Sequence, residues 1–164
     1  MESNPGGIGY GQLAGAAKFR RFCRLMCETT GLNMEFASPG DARRDLLYVN
    51  GGPAPLCMFL RRNEAFDALC RRCDRMRCEE AASRRQGFHY RCHAGLIDIV
   101  VPVHLDGRHV GTFMGGELLP GPPSEASFRL FSRRLRRFGY DPSLLREFYF
   151  RSSWMDKARL DNLV

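Results

Sequence analysis

The sequence predicts an α+β domain, an antiparallel sheet flanked by helices, and three observations carry that expectation. Apolar residues recur at helical spacing in the first half of the chain and again after residue 123. Between Phe88 and Leu118 the apolar period instead drops to two, the period of a strand. Asp106-Gly107 joins two of these extended runs, and such a pair suits a tight hairpin because both central residues must take positive φ. A length of 164 residues with 44% hydrophobic content suits one domain with its own core.

Taken in order, residues 1–12 are glycine-rich with few apolar anchors and are expected to be flexible. Phe19, Phe22, Cys23 and Met26 mark an amphipathic helix over 13–30, stopped by Gly31. A strand over about 32–37 closes at Pro39-Gly40-Asp41, Leu46 to Val49 reads as a second short strand, and Asn50 to Pro53 as a loop. Leu56 to about Ser83 favours one helix, with Phe66, Leu69, Cys70 and Cys73 on one stripe. Strands follow at Phe88–Arg91, Ile97–Leu105 and Arg108–Leu118, where Pro102 predicts a bulge or bend. Ser124 caps a helix bearing Phe128, Phe131, Leu135 and Phe138, and Gly139 ends it. Asp141-Pro142 opens another, since aspartate caps and proline is tolerated at the first helical position.

Composition narrows the function classes. No apolar run approaches the ~20 residues that span a bilayer, and Met1 to Gly15 lacks a basic stretch followed by an apolar one, so a cytoplasmic chain without membrane contact is expected. The formal charge is +7, and all 25 basic residues except Lys18 and Lys157 are arginine. Arginine pairs such as Arg20-Arg21, Arg61-Arg62 and Arg133-Arg134 are scattered over several helices without helix-turn-helix or zinc-finger spacing. They read as solvated faces, and direct nucleic-acid binding by this chain is not expected. Seven cysteines, an odd number without a leader segment, point to reduced thiols.

The densest chemistry runs from Tyr90 to Asp98, where a tyrosine, a thiol, an imidazole and a carboxylate fall within nine residues. On an extended chain Tyr90 and Cys92 face one side while Arg91 and His93 face the other. Cys92 and His93 then make no nucleophile–base pair, His104 and His109 flank the hairpin, and no enzymatic activity is expected. Cys70 and Cys73 form a C-x2-C pair followed by Cys78 and Cys92-His93, a supply of soft metal ligands. Small buried thiols on an apolar stripe give the same pattern. Gly111 and Gly115-Gly116-Glu117 mark either a pocket lining or a bulge, since strand glycines allow close approach.

The stretch Tyr90 to Asp98, with Val101-Pro102-Val103, Asp106-Gly107, Gly111 and Gly115-Gly116-Glu117, resembles the PocR sensory domain family. Cys57 matches a family cysteine that follows a loop, and Cys70 with Asp74 matches a C-x3-D helix motif. The resemblance covers roughly 13–150 and leaves 151–164 as a helix or linker toward an output domain. It implies a PAS-like sheet flanked by helices, as found at the N-terminus of AraC-type transcription regulators or in histidine kinases. It also implies a small organic ligand held by Tyr90, Cys92, His93, Asp98, Glu117, Gly115 and Asp74, and a DNA-binding or kinase output domain as partner. Ligand binding would shift a conformational or homodimer equilibrium. The competing expectation is a metal, iron–sulfur or redox sensor using Cys57, Cys70, Cys92 and Cys73, with zinc or an iron–sulfur cluster as cofactor. Glu117 stands where the family commonly has glutamine, and Cys73 where a small polar residue is usual. Cys57, Cys70 and Cys92 are expected to converge on one pocket wall, with Cys23, Cys27 and Cys78 apart.

Overall fold

In the computed structural model, which describes residues 8–40, 46–48 and 54–164, helices and strands are arranged around one sheet. The chain runs through α1 (Tyr10–Gly15), α2 (Ala17–Thr30), β1 (Met34–Ala37), β2 (Leu46–Tyr48), α3 (Pro55–Leu60) and α4 (Glu64–Arg84). It continues through β3 (Phe88–Arg91), β4 (Ile97–Leu105), β5 (Arg108–Leu118), α5 (Glu125–Leu135), a 3-10 turn (Arg136–Phe138), α6 (Pro142–Phe150) and α7 (Lys157–Asp161). The strand order is β2-β1-β5-β4-β3, and every neighbouring pair is antiparallel. This is the α+β arrangement, a sheet flanked by helices, that the periodicity predicts. Asp106 (φ 49°) and Gly107 (φ 78°) take the positive dihedrals the β4–β5 hairpin requires. Among the described residues no helix is long and apolar enough to cross a membrane.

Side-chain alternation gives the sheet two different faces. On one, Phe36, Ile97, Ile99 and Phe113 pack with Cys23 and Cys27 of α2 and Leu160 of α7. Its centre is aromatic: Phe36 lies 4.9 Å from Phe113, 4.9 Å from Phe19 and 5.3 Å from Tyr10, ring centroid to centroid. Gly111 makes this possible, since a Cβ there would overlap the Phe36 ring. The other face packs Ala37, Tyr90, Val100 and Met114 against Cys78 and Ala81 of α4. A third cluster joins Leu56, Leu60, Phe66, Leu96, Phe131, Leu135 and Tyr149. It ties α3 and the start of α4 to α5 and α6.

Local signals hold where the chain decides its own ends. Ser124 accepts from Ser127 N (3.2 Å) and caps α5; Asp141 accepts from Ser143 N and Leu144 N (2.9 Å each) and caps α6. Tertiary contacts decide elsewhere. The predicted helix over 13–30 is two helices, because Ala16 is extended (φ −71°, ψ 124°). Tyr10 sits in α1 and donates its hydroxyl to Phe36 O (3.0 Å). The predicted helix from Leu56 to Ser83 breaks after Leu60, whose carbonyl accepts from the Tyr140 hydroxyl (2.6 Å), and Asn63 recaps α4 by accepting from Phe66 N (3.0 Å). Val49, the Asn50–Pro53 loop and the end of the Pro39-Gly40-Asp41 turn lie outside the described residues. Pro102 itself pairs with Thr112, on a stretch of β4 beyond the last β3 pairing at Val100, so no β3 carbonyl needs its missing N–H, and a register shift follows it between Val103 and His104.

The irregularity that shapes the molecule lies at the other end of the hairpin. Ile97 pairs with Leu118 and Ile99 with Gly115, so Gly116 and Glu117 together oppose Asp98. Gly116 (φ 113°) and Glu117 (φ 50°) form this bulge, and a Cβ on Gly115 would overlap the Asn33 carbonyl oxygen. Gly115→Ala therefore forces β1 away from β5. Urea unfolding should show a loss of about 1–3 kcal/mol, the range for overpacking a filled site.

Candidate functional site

The strand alternation that separates His93 from Cys92 ends at Arg91. There the chain enters a turn in which Cys92 N donates to Leu96 O (2.9 Å) and Gly95 N to Cys92 O (2.8 Å), with Gly95 at φ 90°. The turn brings Tyr90, Cys92 and His93 to the same side, and the expected opposition of Cys92 and His93 is overturned. On α4, positions three and four apart share a face, so Phe66, Cys70, Cys73 and Asp74 point together. These two groups, with the β5 bulge and Cys57 and Arg61 beside α3, enclose a cavity of about 50 Å³.

All seven residues that the sequence singles out for ligand binding line this cavity: Tyr90, Cys92, His93, Asp98, Glu117, Gly115 and Asp74. So do Cys57, Cys70, Cys73 and Cys92. Cys23 and Cys27 lie across the sheet in the aromatic core, and Cys78 packs beside Met114, sulfur to sulfur 3.2 Å. His104 and His109 lie at the hairpin, their rings 5.4 Å apart and away from this lining. Among the described residues no group of three or more His, Cys, Asp or Glu side chains is arranged to hold a metal. The thiols have other neighbours: Cys57 lies beside the Glu117 carboxyl, Cys92 beside Asp98, and Cys70 Sγ 3.1 Å from His93 Nε2.

Charge is arranged in two groups. Arg61 holds one, pairing with the buried Asp74 (2.9 Å) and with Asp67 (3.2 Å). In the other, Asp98 accepts from Glu117 N (2.9 Å), and Glu117 accepts from Ala54 N just before α3. Neither of these two carboxylates forms a salt bridge among the described residues. Burial, reinforced by the neighbouring Glu117, pushes the Asp98 carboxyl up to about 7, and burial also raises Glu117. Burial raises the thiols of Cys57, Cys73 and Cys92, keeping them protonated at neutral pH, and lowers His93, keeping its imidazole neutral.

The Cys70–His93 contact and the role of Arg61 are invisible in the linear sequence. Cys70 and His93 are 23 residues apart, and only the glycine two places after His93 signals the turn that joins them. Arg61 sits among arginines that read as a solvated face.

An antiparallel sheet with a mixed polar and apolar cavity between it and a long helix makes this an α+β module. This chain belongs to the PocR family: residues 12–164 match the domain described as the sensory domain found in PocR. It is 36% identical over 64 residues to the regulatory protein PocR of Salmonella typhimurium (strain LT2), a match covering 39% of this chain and 21% of that protein. The aligned part is thus about a fifth of that relative's length. No solved structure matches the chain.

Two outcomes test the electrostatics. Arg61→Ala removes the guanidinium that bridges Asp74 and Asp67 while Arg71 still pairs with Asp67, and chemical denaturation should register a loss of about 1–3 kcal/mol, as for a lost charge-assisted hydrogen bond. The second concerns pH. Between about pH 4 and 7 the folded chain retains an Asp98 proton that the unfolded chain, with its ordinary value of 3.8, has released. Stability conferred by that proton is complete below pH 4 and is lost as pH rises toward 7. The melting temperature of the wild type relative to Asp98→Asn should fall across that window and level off above it.

Proposed function

We propose that this domain binds a small organic molecule in the cavity and reports its occupancy to an attached output domain, the DNA-binding domain of an AraC-type regulator. The observation that carries this is the convergence of donors and acceptors from β3, β4, β5, α4 and the β3–β4 turn on one enclosed, sulfur-lined space. Membership of a sensory family supports it. A cavity of about 50 Å³ is well below the ~150 Å³ of an apolar cavity that takes benzene. The ligand is therefore a compact polar molecule of a few non-hydrogen atoms, anchored by the Tyr90 hydroxyl and the Asp98 and Glu117 carboxyls. The role is sensory, without turnover, in a cytoplasmic regulator, and a homodimer is the assembly through which such a signal is passed.

The path outward starts at Glu117. Two residues further on, Leu119 N donates to Ser153 O (2.8 Å), and Leu119 makes a parallel bridge with Trp154. A ligand that competes with Ala54 N or Cys57 for the Glu117 carboxylate shifts the bulge, and the bulge leads directly into the C-terminal segment. Such a ligand acts by binding one arrangement of that segment better than the other.

A thermal-shift screen of neutral and charged molecules of three to five non-hydrogen atoms tests the reading. At least one should raise the wild-type melting temperature in a concentration-dependent manner, lose at least tenfold in affinity on Glu117→Gln or Tyr90→Phe, and slow amide exchange at Leu119 and Ser153. A screen in which no molecule stabilises the wild type, with calorimetry also silent, overturns it.

A further inference from the structure

Cys70 differs from the other thiols of the cavity in the group it faces. Burial and the neighbouring carboxylates, Glu117 for Cys57 and Asp98 for Cys92, hold those thiols in the protonated, unreactive form. Cys70 Sγ instead lies 3.1 Å from His93 Nε2, the contact by which an imidazole takes the proton of an attacking thiol. The imidazole is held in place, its ring against Phe66 at 4.5 Å between centroids. Sulfur and ring both line the cavity, so a ligand that enters meets them.

We propose that Cys70 is a nucleophile that captures a short aldehyde as a reversible thiohemiacetal, with His93 as the base that takes and returns the proton. This rests on the sensory reading of the cavity and specifies the chemistry of its ligand. The thiol proton passes to Nε2 as a sulfur lone pair attacks the carbonyl carbon. The carbonyl π pair moves to oxygen, which then takes the proton back from Nε2. One S–C and one O–H bond form while one S–H bond and one C=O π bond break; nothing is oxidised and no group leaves. An aldehyde suits the site better than an alkylating agent. It needs no room for a leaving group, fits a cavity of about 50 Å³, and dissociates by the same path, as a signal must. Burial supports the assignment by leaving His93 neutral and able to accept a proton.

The probe is acetaldehyde labelled with carbon-13 at the carbonyl, with ethanol as the non-electrophilic control. Wild type should show a saturable one-to-one shift of the labelled carbon into the tetrahedral O,S-acetal region. The signal should vanish in Cys70→Ala and form at least tenfold more slowly in His93→Gln. A second arm needs no variant: a short iodoacetamide pulse on folded wild type, read by peptide mass mapping, should label Cys70 first among the seven cysteines. Acetaldehyde should slow that labelling at least tenfold and ethanol should not. The absence of an adduct in wild type, an adduct that persists in Cys70→Ala, or Cys70 labelled no faster than Cys92 would overturn the proposal. If non-electrophilic ligands from the thermal-shift screen stabilise wild type and Cys70→Ala alike while acetaldehyde gives no adduct, covalent capture fails and the sensory cavity stands. If no molecule binds at all, both fail.

Discussion

One hydrogen bond, from Glu117 N to the Asp98 carboxylate at 2.9 Å, organises the cavity side of the molecule. It closes the bulge in which two residues of β5 oppose one of β4, and so fixes where β5 stops behaving as a regular strand. Beyond it the Glu117 side chain reaches the amide of Ala54, just before α3. Without the bulge, Glu117 would follow strand alternation. The arrangement is costly in solvation terms, since two carboxyls share a poorly hydrated space. The protein offsets this with local donors, the Cys92 and Cys57 thiols and two backbone amides, in place of a counter-ion. Arg61, also in the lining, is engaged with Asp74 and Asp67.

Elements whose cause is local were legible in the sequence. Asp106-Gly107, Ser124 and Asp141-Pro142 act through their own dihedrals and caps, so the hairpin and the starts of α5 and α6 follow from them. The break between α3 and α4 was not legible, because it contains neither glycine nor proline. The Leu60 carbonyl is taken by Tyr140, which lies 80 residues away in sequence. Ala16 is a similar case, an ordinary helix former left extended where α1 and α2 meet the aromatic core. The site residues were legible as a set because motif residues gather where a backbone must turn sharply. Their mutual geometry was not: the facing of His93 depends on a turn that cancels strand alternation, and its contact with Cys70 on a helix-to-turn packing that no spacing encodes.

The cysteines illustrate how one residue type serves different ends in a small domain. Cys23 and Cys27 are apolar filler under the sheet, where burial drives the Cys23 thiol up to about 11. Cys78 packs against Met114, its thiol pushed up to about 12. Around the cavity the same small group donates weakly to carboxylates and lines the space without bulk. A hydroxyl at these positions would donate more strongly and hold the carboxylates more firmly. A thiol leaves them easier for an incoming molecule to recruit.

The two faces of the sheet also differ in how they respond to volume. Under α2 the Tyr10, Phe19, Phe36 and Phe113 rings fill the space, with Gly111 removed from the way of Phe36. Under α4 the packing leaves a cavity of about 50 Å³. Hydrostatic pressure favours whichever state occupies less space, and voids are what unfolding or local opening eliminates. Compression is therefore borne asymmetrically: the aromatic face yields little, while α3, the β3–β4 turn and the β5 bulge form the compressible side. A molecule that fills the cavity removes that asymmetry.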